Sequence, residues 1–425
     1  MTGVDDLLTR RAAHLSGALS VLYPDDPIHV VRAFGPYLYD ADGHQYLDCM
    51  NNVPHVGHSH PRVTEAVSRQ LALVNTNTRF LYAPLSDYAD RLTALLPDAL
   101  AVCFFVNSGS EANELALRLA RAHTGRRDVV VQNDAYHGHT TGLIDISPYK
   151  FNGRGGGGRP AHVQVTPRPD PYRGVHRGSD SGPAYAADTA EALARCERPP
   201  AALFAEPLMG TGGQTVPPTG YLSAAFAAAR AAGAITVADE VQIGFGRVGS
   251  HLWAFEAQDA TPDVLSLGKP IGNSYPLGAV VTTREVAASF DNGLEYFNTF
   301  GGSPVACAAG LAVLDIIEDE QLQRHAADVG AHLLHGMRGL MREHPCLGDV
   351  RGQGLFLGAE LVSDPTERTP ATQIARDLIR GLRRERILLS TDGPDDNVLK
   401  IKPPLPFSTV DADRLLDALD RLLPR

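Results

Sequence analysis

The stretch ITVADEVQIGFGRVGSHLWAFEAQDATPDVLSLGK, residues 235–269, places charged side chains directly after two apolar runs. The first run ends in Asp239 and Glu240, and the second ends in Lys269. Short apolar runs bounded by polar residues predict buried strands. A buried carboxylate is costly unless a cation meets it, and a desolvated lysine has a lowered pKa and becomes nucleophilic. A lone lysine after a strand is more often a solvated surface residue, but the apolar run before Lys269 and the turn PIGNSYPLG after it favour a reactive amine.

Three further apolar runs also end in polar residues: VCFFVN (102–107), DVVVQN (128–133) and AALFAE (201–206). Segments of helical period lie between them, of which EANELALRLARAH (111–123) and YLSAAFAAARAAG (221–233) are the clearest. This alternation predicts a largely parallel sheet with both faces covered, and ligands bind beyond the carboxyl ends of such strands. The polar residues at those ends are Asn107, Asn133, Glu206, Asp239 and Lys269.

The remaining segments predict a surface excursion and a separate C-terminal unit. Residues 151–183 are rich in Gly, Pro, Arg and Ser and have no sustained period, which indicates a long surface loop. Residues 310–337 have the period of one long helix, GLFLGAEL (354–361) predicts a strand, and DADRLLDALDRLL (411–423) predicts a closing helix.

Composition excludes several classes of protein. The 425 residues are 44% hydrophobic and 20% charged, so the chain can bury a large core. Its five cysteines are far apart, which disfavours a disulfide framework and indicates a reducing compartment. The first residues lack an apolar signal region and no later run is long enough to span a bilayer, so we expect a cytoplasmic protein without a membrane partner. The net charge of -11, without a basic block, argues against nucleic acid as a partner.

Two loop motifs suit a flat, anionic ligand. NSGSEAN (107–113) lies between a strand and a helix, where backbone amides, the helix dipole and the hydroxyls of Ser108 and Ser110 suit a phosphate. Taken alone, the motif is better interpreted as an ordinary serine-capped helix with Glu111 in its first turn. DAYHGHT (134–140) presents Tyr136 beside His137, and an aromatic side chain there could stack on a planar ring or simply fill a turn.

Two other motifs are weaker signals. GFGRVG (244–249) matches the dinucleotide pattern, but no clear helix follows and no acid lies about 20 residues further on, so a nicotinamide cofactor is not supported. The histidines of HVGHSHP, which are His55, His58 and His60, lie in a turn without a separate ligand cluster. We interpret them as loop histidines and predict no metal site.

The motifs NSGSEAN, AYHGH, ADEVQIGFGR, SLGKPIGN and TFGGSP, in this order, resemble the class III aminotransferase family of fold-type I pyridoxal-phosphate (PLP) enzymes. The resemblance runs from about residue 25 to the C-terminus. It implies an α/β fold with a mostly parallel central sheet, helices on both faces and a smaller α+β domain built from both terminal segments. The implied division is 1–60 for the N-terminal part of the small domain, 61–310 for the large PLP-binding domain and 311–425 for the C-terminal small domain.

By the same resemblance Lys269 is the Schiff-base lysine, Asp239 pairs with the pyridine nitrogen, and Tyr136 and Val241 pack on opposite faces of the ring. Thr299 looks like a residue that reaches the cofactor phosphate of a neighbouring subunit, which implies a homodimer with a shared active site. The other implied cofactor-binding residues are Ser108, Gly109 and Ser110 at the phosphate, Gln242 near the phenolic oxygen, and His137 and Glu206 nearby.

Within the family the chain is most similar to the branch of ethanolamine-phosphate and 5-phosphohydroxylysine phospho-lyases. The strings CMNNVPHVGHSHP, LVNTNTRFLY, ISPYKFN, EYFNTFGG and NVLKIKPPL carry this likeness. Lysines stand before the final PPL, where many family aminotransferases have a carboxylate-binding arginine, whereas Ser303 and the EPL at 206–208 depart from the branch pattern. The implied substrate is a phosphorylated amine that releases phosphate.

A phosphorylated substrate needs a second anion site beyond that for the cofactor. The cationic candidates are Arg79, Lys150, Lys400 and Lys402, each of which alone is more commonly a solvated surface base. An aminotransferase of class III, or a related PLP-dependent elimination or replacement enzyme, is the alternative. A non-catalytic PLP-binding protein is disfavoured because Lys269, Asp239 and Tyr136 are all present.

Overall fold

The structure is a computed structural model that describes residues 3–425. Its strands are β1 Val30–Phe34, β2 Tyr37–Asp40, β3 Gln45–Asp48, β4 Val102–Val106, β5 Val129–Gln132, β6 Val163–Thr166, β7 Ala202–Ala205, β8 Ile235–Asp239, β9 Val264–Leu267, β10 Gly278–Thr282, β11 Leu347–Gln353, β12 Phe356–Asp364, β13 Thr369–Pro370, β14 Ile387–Leu388, β15 Ser390–Asp392 and β16 Val398–Ile401.

Its α-helices are α1 Val4–His14, α2 Pro61–Leu73, α3 Ala83–Thr93, α4 Gly109–Thr124, α5 Thr141–Asp145, α6 Pro148–Phe151, α7 Gly182–Ala194, α8 Tyr221–Ala231, α9 Arg284–Ser289, α10 Pro304–Asp319, α11 Leu322–Leu340, α12 Thr372–Arg384 and α13 Thr409–Leu422. Short 3₁₀ turns occupy Glu256–Gln258 and Lys269–Gly272. No helix in the described part of the chain is long and apolar enough to cross a membrane.

The central sheet has seven strands in the order β4-β10-β9-β8-β7-β5-β6. Only β10 runs antiparallel to its neighbours, β4 and β9, and the pairs from β9 to β6 are parallel. The five strands expected from the apolar runs are all present, which confirms the mostly parallel sheet. The parallel strands therefore deliver their carboxyl ends to one edge.

Helices cover both faces of this sheet. On β7, Leu203 packs into a core that includes Phe226 of α8, whereas the next residue, Phe204, packs into a second core that includes Leu115 of α4. Neighbouring residues of a strand point to opposite faces, so strands that are apolar throughout, such as β7, must be buried on both sides.

Two smaller sheets flank the central one. The first, β1-β2-β3-β14, joins the two ends of the chain because Ile387 of β14 pairs in parallel with Leu47 of β3. The second contains β11-β12-β16-β15, with β13 paired to β12. The division into 1–60, 61–310 and 311–425 stays a prediction, and α10 runs across its second boundary.

Two expectations about local structure are wrong. Residues 151–183 are not only a surface loop, because they include the edge strand β6, a four-residue run hidden between Gly- and Pro-rich flanks. The long helix expected over 310–337 is two helices, α10 and α11, which break at Glu320 and Gln321. Gln321 has a left-handed φ of 52°, and its side-chain amide caps the carbonyl of Glu318 at 2.7 Å. Hydrophobic periodicity does not reveal such a short turn.

Candidate active site

A cavity of about 460 Å³ opens at the carboxyl ends of the central strands. It brings together ten of the expected cofactor-binding residues, which are Ser108, Gly109, Ser110, Tyr136, His137, Glu206, Asp239, Val241, Gln242 and Lys269. Asn107 also lines it, but Asn133 does not, and the Asn133 amide instead donates to Asp134. The polar strand ends thus converge as expected, with Asn133 as the exception.

Asp239 is buried at the end of β8 within a set of hydrogen-bond donors. Its Oδ2 accepts from Asn113 Nδ2 at 2.7 Å and from His137 Nδ1 at 2.8 Å, and its Oδ1 accepts from the Val241 amide at 3.1 Å. These three donors fix the direction of the carboxylate, so it can face a cationic group in the cavity.

Lys269 follows β9 and has an unusual backbone conformation, with φ at 38°. Burial lowers the pKa of the Lys269 amine, and the positive charge of Lys400 lowers it further. The carboxylates of Asp239 and Glu206 act in the opposite direction. A lysine with a lowered pKa is more often neutral near pH 7, which a nucleophilic or proton-accepting amine requires.

The N-terminus of α4 forms one wall of the cavity. Ser108 is the helix N-cap, and its Oγ accepts from the Glu111 amide at 3.1 Å, so the serine-cap interpretation holds for this residue. The amides of Gly109 and Ser110 belong to the first turn, where helix geometry offers no backbone acceptor. A Cβ at Gly109 would lie 2.5 Å from Val241 Cγ1. Glycine is therefore required for α4 to approach Val241.

Tyr136 and Glu206 also line the cavity. Glu206 is buried and accepts hydrogen bonds from the amides of Tyr136 at 3.2 Å and Gly210 at 2.8 Å. Burial raises the pKa of the Glu206 carboxyl. Glu206 thus holds the backbone of the loop that carries the Tyr136 ring.

Lys400 and Lys402 lie next to the cavity on β16 and the residues after it. Lys402 Nζ donates to Gln242 Oε1 at 3.0 Å, and Asp392 Oδ2 lies 3.7 Å from Lys402 Nζ and 3.9 Å from Lys400 Nζ. The Lys402 side chain is fully buried, whereas the Lys400 side chain is 25% exposed. The two lysines, predicted as equivalent, therefore have different environments.

The other two candidate cations lie at the surface. Lys150 Nζ lies 5.5 Å from the ring centroid of Tyr136 and 5.1 Å from that of Tyr149, at the side of the cavity. Arg79 is exposed and pairs with Glu295 at 2.8 Å. Thr299 is also exposed, and neither it nor Arg79 lines the cavity of its own chain.

Sequence reasoning missed Asn113, which stands one helical turn after Gly109. The spacing of four residues on α4 could have revealed it, because residues i and i+4 share a helix face. It also missed the stretch Ser274–Leu277 after the lysine, which lines the cavity. Ser274 has a left-handed φ of 77°, and no residue pattern in the stretch predicts this conformation.

The motifs GFGRVG and HVGHSHP make structural contacts. Within GFGRVG, Arg247 is fully buried and donates to the carbonyls of Leu355 and Pro403 at 3.0 and 2.7 Å. The three loop histidines have separate partners, namely the Phe245 carbonyl for His55, Asp48 for His58 and Glu320 for His60. They do not share a ligand position.

Comparison with known proteins identifies the family. A sequence profile described as aminotransferase class-III matches residues 21–423. The chain belongs to the class III aminotransferase family. It is 48% identical over 417 residues to a Drosophila melanogaster protein named alanine--glyoxylate aminotransferase 2-like, covering 96% of this chain and 84% of that one. It is 42% identical over 436 residues to the Caenorhabditis elegans ethanolamine-phosphate phospho-lyase homolog 1, covering 99% and 93%.

Among solved structures, a phospholyase from Arthrobacter in complex with phosphoethanolamine superposes with a TM-score of 0.92. The two chains are 38% identical, and the match covers 99% of this chain and 100% of that one. The likeness confirms the fold-type I architecture. As a class III aminotransferase family member, the chain is a PLP-dependent enzyme.

The cavity fits this cofactor by the chemistry of its donors. The first-turn amides of Gly109 and Ser110, which have no acceptor within the helix, suit a phosphate, and the buried carboxylate of Asp239 suits a protonated ring nitrogen. Tyr136 and Val241 supply an aromatic and an aliphatic surface to the same cavity. Lys269 supplies the amine that PLP enzymes require.

Proposed function

We propose that this chain is a PLP-dependent phospho-lyase. It would take a phosphorylated amine and one water and release an aldehyde, ammonia and inorganic phosphate. The named phospho-lyase relatives support this branch of the family, but the observation that carries the proposal is the placement of lysine in this chain.

Lysine is nearly absent from the sequence. Of the 38 lysine and arginine residues only four are lysines: Lys150, Lys269, Lys400 and Lys402. All four stand in or beside the candidate active site. Lys269 lines the cavity, and the other three lie near it: Lys150 beside Tyr136, Lys402 beside Gln242 and Lys400 beside Asp392. The other 34 of these 38 residues are arginines. The retained lysines therefore indicate positions where a compact ammonium or an amine is needed.

The proposed roles follow from the contacts. Bound PLP supplies an electron sink for the carbon that bears the substrate nitrogen. Asp239 would hold the positive charge on the ring nitrogen, and Gly109 and Ser110 would bind the cofactor phosphate. Lys269 would hold the cofactor through its amine, and the same amine would take the proton from the substrate carbon. Burial lowers the pKa of Lys269, which favours the neutral amine that a base requires.

The departing phosphate would bind at Lys400 and Lys150, which lie beside the cavity. Lys400 is partly exposed and its nearest carboxylate oxygen, on Asp392, is 3.9 Å away, so its ammonium can turn to a substrate phosphate. Lys150 Nζ lies 5.1 Å from the ring centroid of Tyr149, and burial, with a further contribution from the charge of Asp392, raises the pKa of the Tyr149 hydroxyl, which supports a position for Lys150 on the Asp392 side of the cavity. An ammonium is a point charge that suits a phosphate in several orientations.

We also propose a homodimer with a shared active site, in which Thr299 reaches the cofactor phosphate of the neighbouring subunit. Thr299 stands in a surface region with large exposed apolar side chains, which are Leu73, Phe80, Leu81, Leu294 and Phe300. The Arg79–Glu295 pair ties the two loops of this region together. Exposed apolar patches of this kind mark association surfaces. Arg79 would then act at this interface or in the neighbouring cavity.

The decisive experiment is an assay of the holoenzyme with phosphoethanolamine and phosphohydroxylysine. Phosphate and ammonia should appear in equal amounts with no added oxo acid. An unphosphorylated amine such as ethanolamine is the control and should release neither. Absence of phosphate release from a panel of phosphorylated amines would overturn the proposal.

A second candidate is an aminotransferase, favoured by the name of the Drosophila relative. In that case turnover of an unphosphorylated amine would require an oxo acid and no phosphate would appear. For location, we propose the cytoplasm. The five cysteines are free among the described residues, which suits a reducing compartment.

A further inference from the structure

Lys402 stands apart from the other lysines because its side chain has no exposed surface. Its Nζ donates to Gln242 Oε1 at 3.0 Å, which is closer than the nearest carboxylate oxygen, that of Asp392 at 3.7 Å. The ring centroid of Phe356 lies 5.2 Å from the same nitrogen. A substrate cannot reach Lys402 without displacing these groups.

Gln242 is held from several sides. Asn52 Nδ2 donates to the Gln242 backbone carbonyl at 3.0 Å and lies 3.5 Å from Oε1. A Cβ at Gly210 would lie 2.5 Å from Gln242 Nε2, so the amide fits only because residue 210 is glycine. Within residues 3–425 the structure gives Nε2 no acceptor, and Gln242 lines the cavity.

We propose that Lys402 is a positioning residue for the cofactor, acting through Gln242, and that Lys400 alone of this pair meets the substrate anion. An ammonium only donates hydrogen bonds. Donation to Oε1 therefore turns the other end of the amide, the Nε2 donor, towards the cavity, where it can meet an acceptor oxygen of the cofactor. Without Lys402 the amide could rotate and present its carbonyl to that oxygen instead.

Asp392 is a carboxylate that Lys400 and Lys402 share. Its Oδ2 lies near both lysine nitrogens and also accepts from Gln214 Nε2 at 2.8 Å. Burial and the positive charge of Lys400 lower the pKa of Lys402 well below its ordinary value, and Asp392 opposes that shift. When Lys400 turns to a substrate, Asp392 remains as the counter-ion of Lys402.

A double-mutant cycle tests this inference, which rests on the proposed function for Lys400 only. The four proteins are wild type, Lys402→Met, Gln242→Ala and the double variant, and the readouts are the dissociation constant of PLP and the pH midpoint of its visible absorbance band. Methionine keeps the length and packing of the lysine stem. In the protein that keeps Gln242, we expect Lys402→Met to weaken PLP binding by about tenfold. In the protein in which Gln242 is already alanine, the same substitution should have little effect.

Lys400→Met is the matched control. Its effects on PLP binding should add to those of Gln242→Ala, and it should raise the KM for a phosphorylated amine. Additive effects of Lys402→Met and Gln242→Ala, in variants with unchanged circular dichroism, would overturn the positioning role. So would a Lys402→Met enzyme that binds PLP like wild type. These readouts need no substrate, so a failed phosphate-release assay would refute the proposed function and leave this inference standing.

Discussion

His137 Nδ1 donates a hydrogen bond to Asp239 Oδ2 at 2.8 Å, and both side chains are buried. The imidazole also stands against Phe204 of the sheet, with ring centroids 5.5 Å apart. The orientation of the carboxylate that faces the cavity is thus determined by a residue packed on the core. The core therefore holds Asp239 in the direction that a protonated ring nitrogen would require.

Asp239→Asn should lower kcat by about 10²-fold or more, because an amide cannot hold the charge of a protonated ring nitrogen. The substitution keeps the size of the side chain, so the fold and PLP binding should largely survive. Turnover, circular dichroism and PLP content are to be measured together. Wild-type kcat in this variant would show that Asp239 does not act on the ring.

Lys269→Ala should abolish covalent retention of the cofactor. Borohydride treatment of wild type, followed by denaturation and peptide mapping, should place the reduced cofactor on the peptide that contains Lys269. Lys150→Ala is a matched control, because it removes another of the four lysines and should leave the label in place. A label found on Lys150, Lys400 or Lys402 would contradict the assignment.

Glu240→Gln should change how stability depends on pH. Glu240 is fully buried, its Oε1 accepts from the Phe255 amide at 2.7 Å, and burial raises the pKa of its carboxyl to about 8. The folded protein therefore holds a proton that the unfolded chain releases at about pH 4.5 and above. Stability from this group is greatest at low pH and is lost as pH rises towards about 8.

Between about pH 4.5 and 8 the free energy of unfolding of wild type should accordingly fall relative to that of Glu240→Gln, by up to about 1.4 kcal/mol per pH unit, and the Tm should fall with it. Thermal melts of both proteins across this range test the expectation. Glu197→Gln, at an exposed glutamate, should follow wild type throughout. Parallel curves for wild type and Glu240→Gln would show that Glu240 does not hold this proton.

Leu81→Asp should convert the proposed dimer into monomers, because it places a charge on a fully exposed leucine in the apolar region near Thr299. Light scattering after size exclusion gives the mass, and PLP content should fall with dissociation. Val410→Asp, at an exposed valine on α13, is the control and should leave the mass unchanged. A Leu81→Asp protein with dimer mass would place the interface elsewhere.

Thr299→Ala should keep the dimer but weaken PLP retention by about tenfold, since it removes one hydrogen bond to a charged phosphate. Dialysis of the holoenzyme followed by absorbance of the retained cofactor measures the loss. Retention equal to wild type would show that the contact across subunits is absent.

Lys400→Met and Lys150→Met should each raise the KM for a phosphorylated amine, by about tenfold for the loss of one charged contact. Steady-state kinetics with phosphoethanolamine provide the test. If neither variant changes KM while Arg79→Met does, the substrate anion binds at the subunit interface rather than beside Asp392.

Most strands and helices could be predicted from the sequence because their apolar residues follow simple periodicities. The strand ends at Asp239 and Lys269 follow from apolar runs, and buried parallel strands need apolar residues on both faces. The helix of residues 109–124 follows from its repeating leucines and its capping serine. The strand Val163–Thr166 and the break at Gln321 were not readable, because one is short and the other depends on a single backbone angle.

The sequence by itself determined the family, the cofactor and the identity of most side chains around the cavity, because these lie in short motifs next to strand ends. Only the tertiary structure distinguished Lys400 from Lys402. The two stand two residues apart in the same string, and Lys400 belongs to a strand while Lys402 follows it. Their difference arises from Gln242 and Phe356, which pack around Lys402 and come from distant parts of the chain. Burial and the choice of hydrogen-bond partner depend on such long-range packing, which no local pattern encodes.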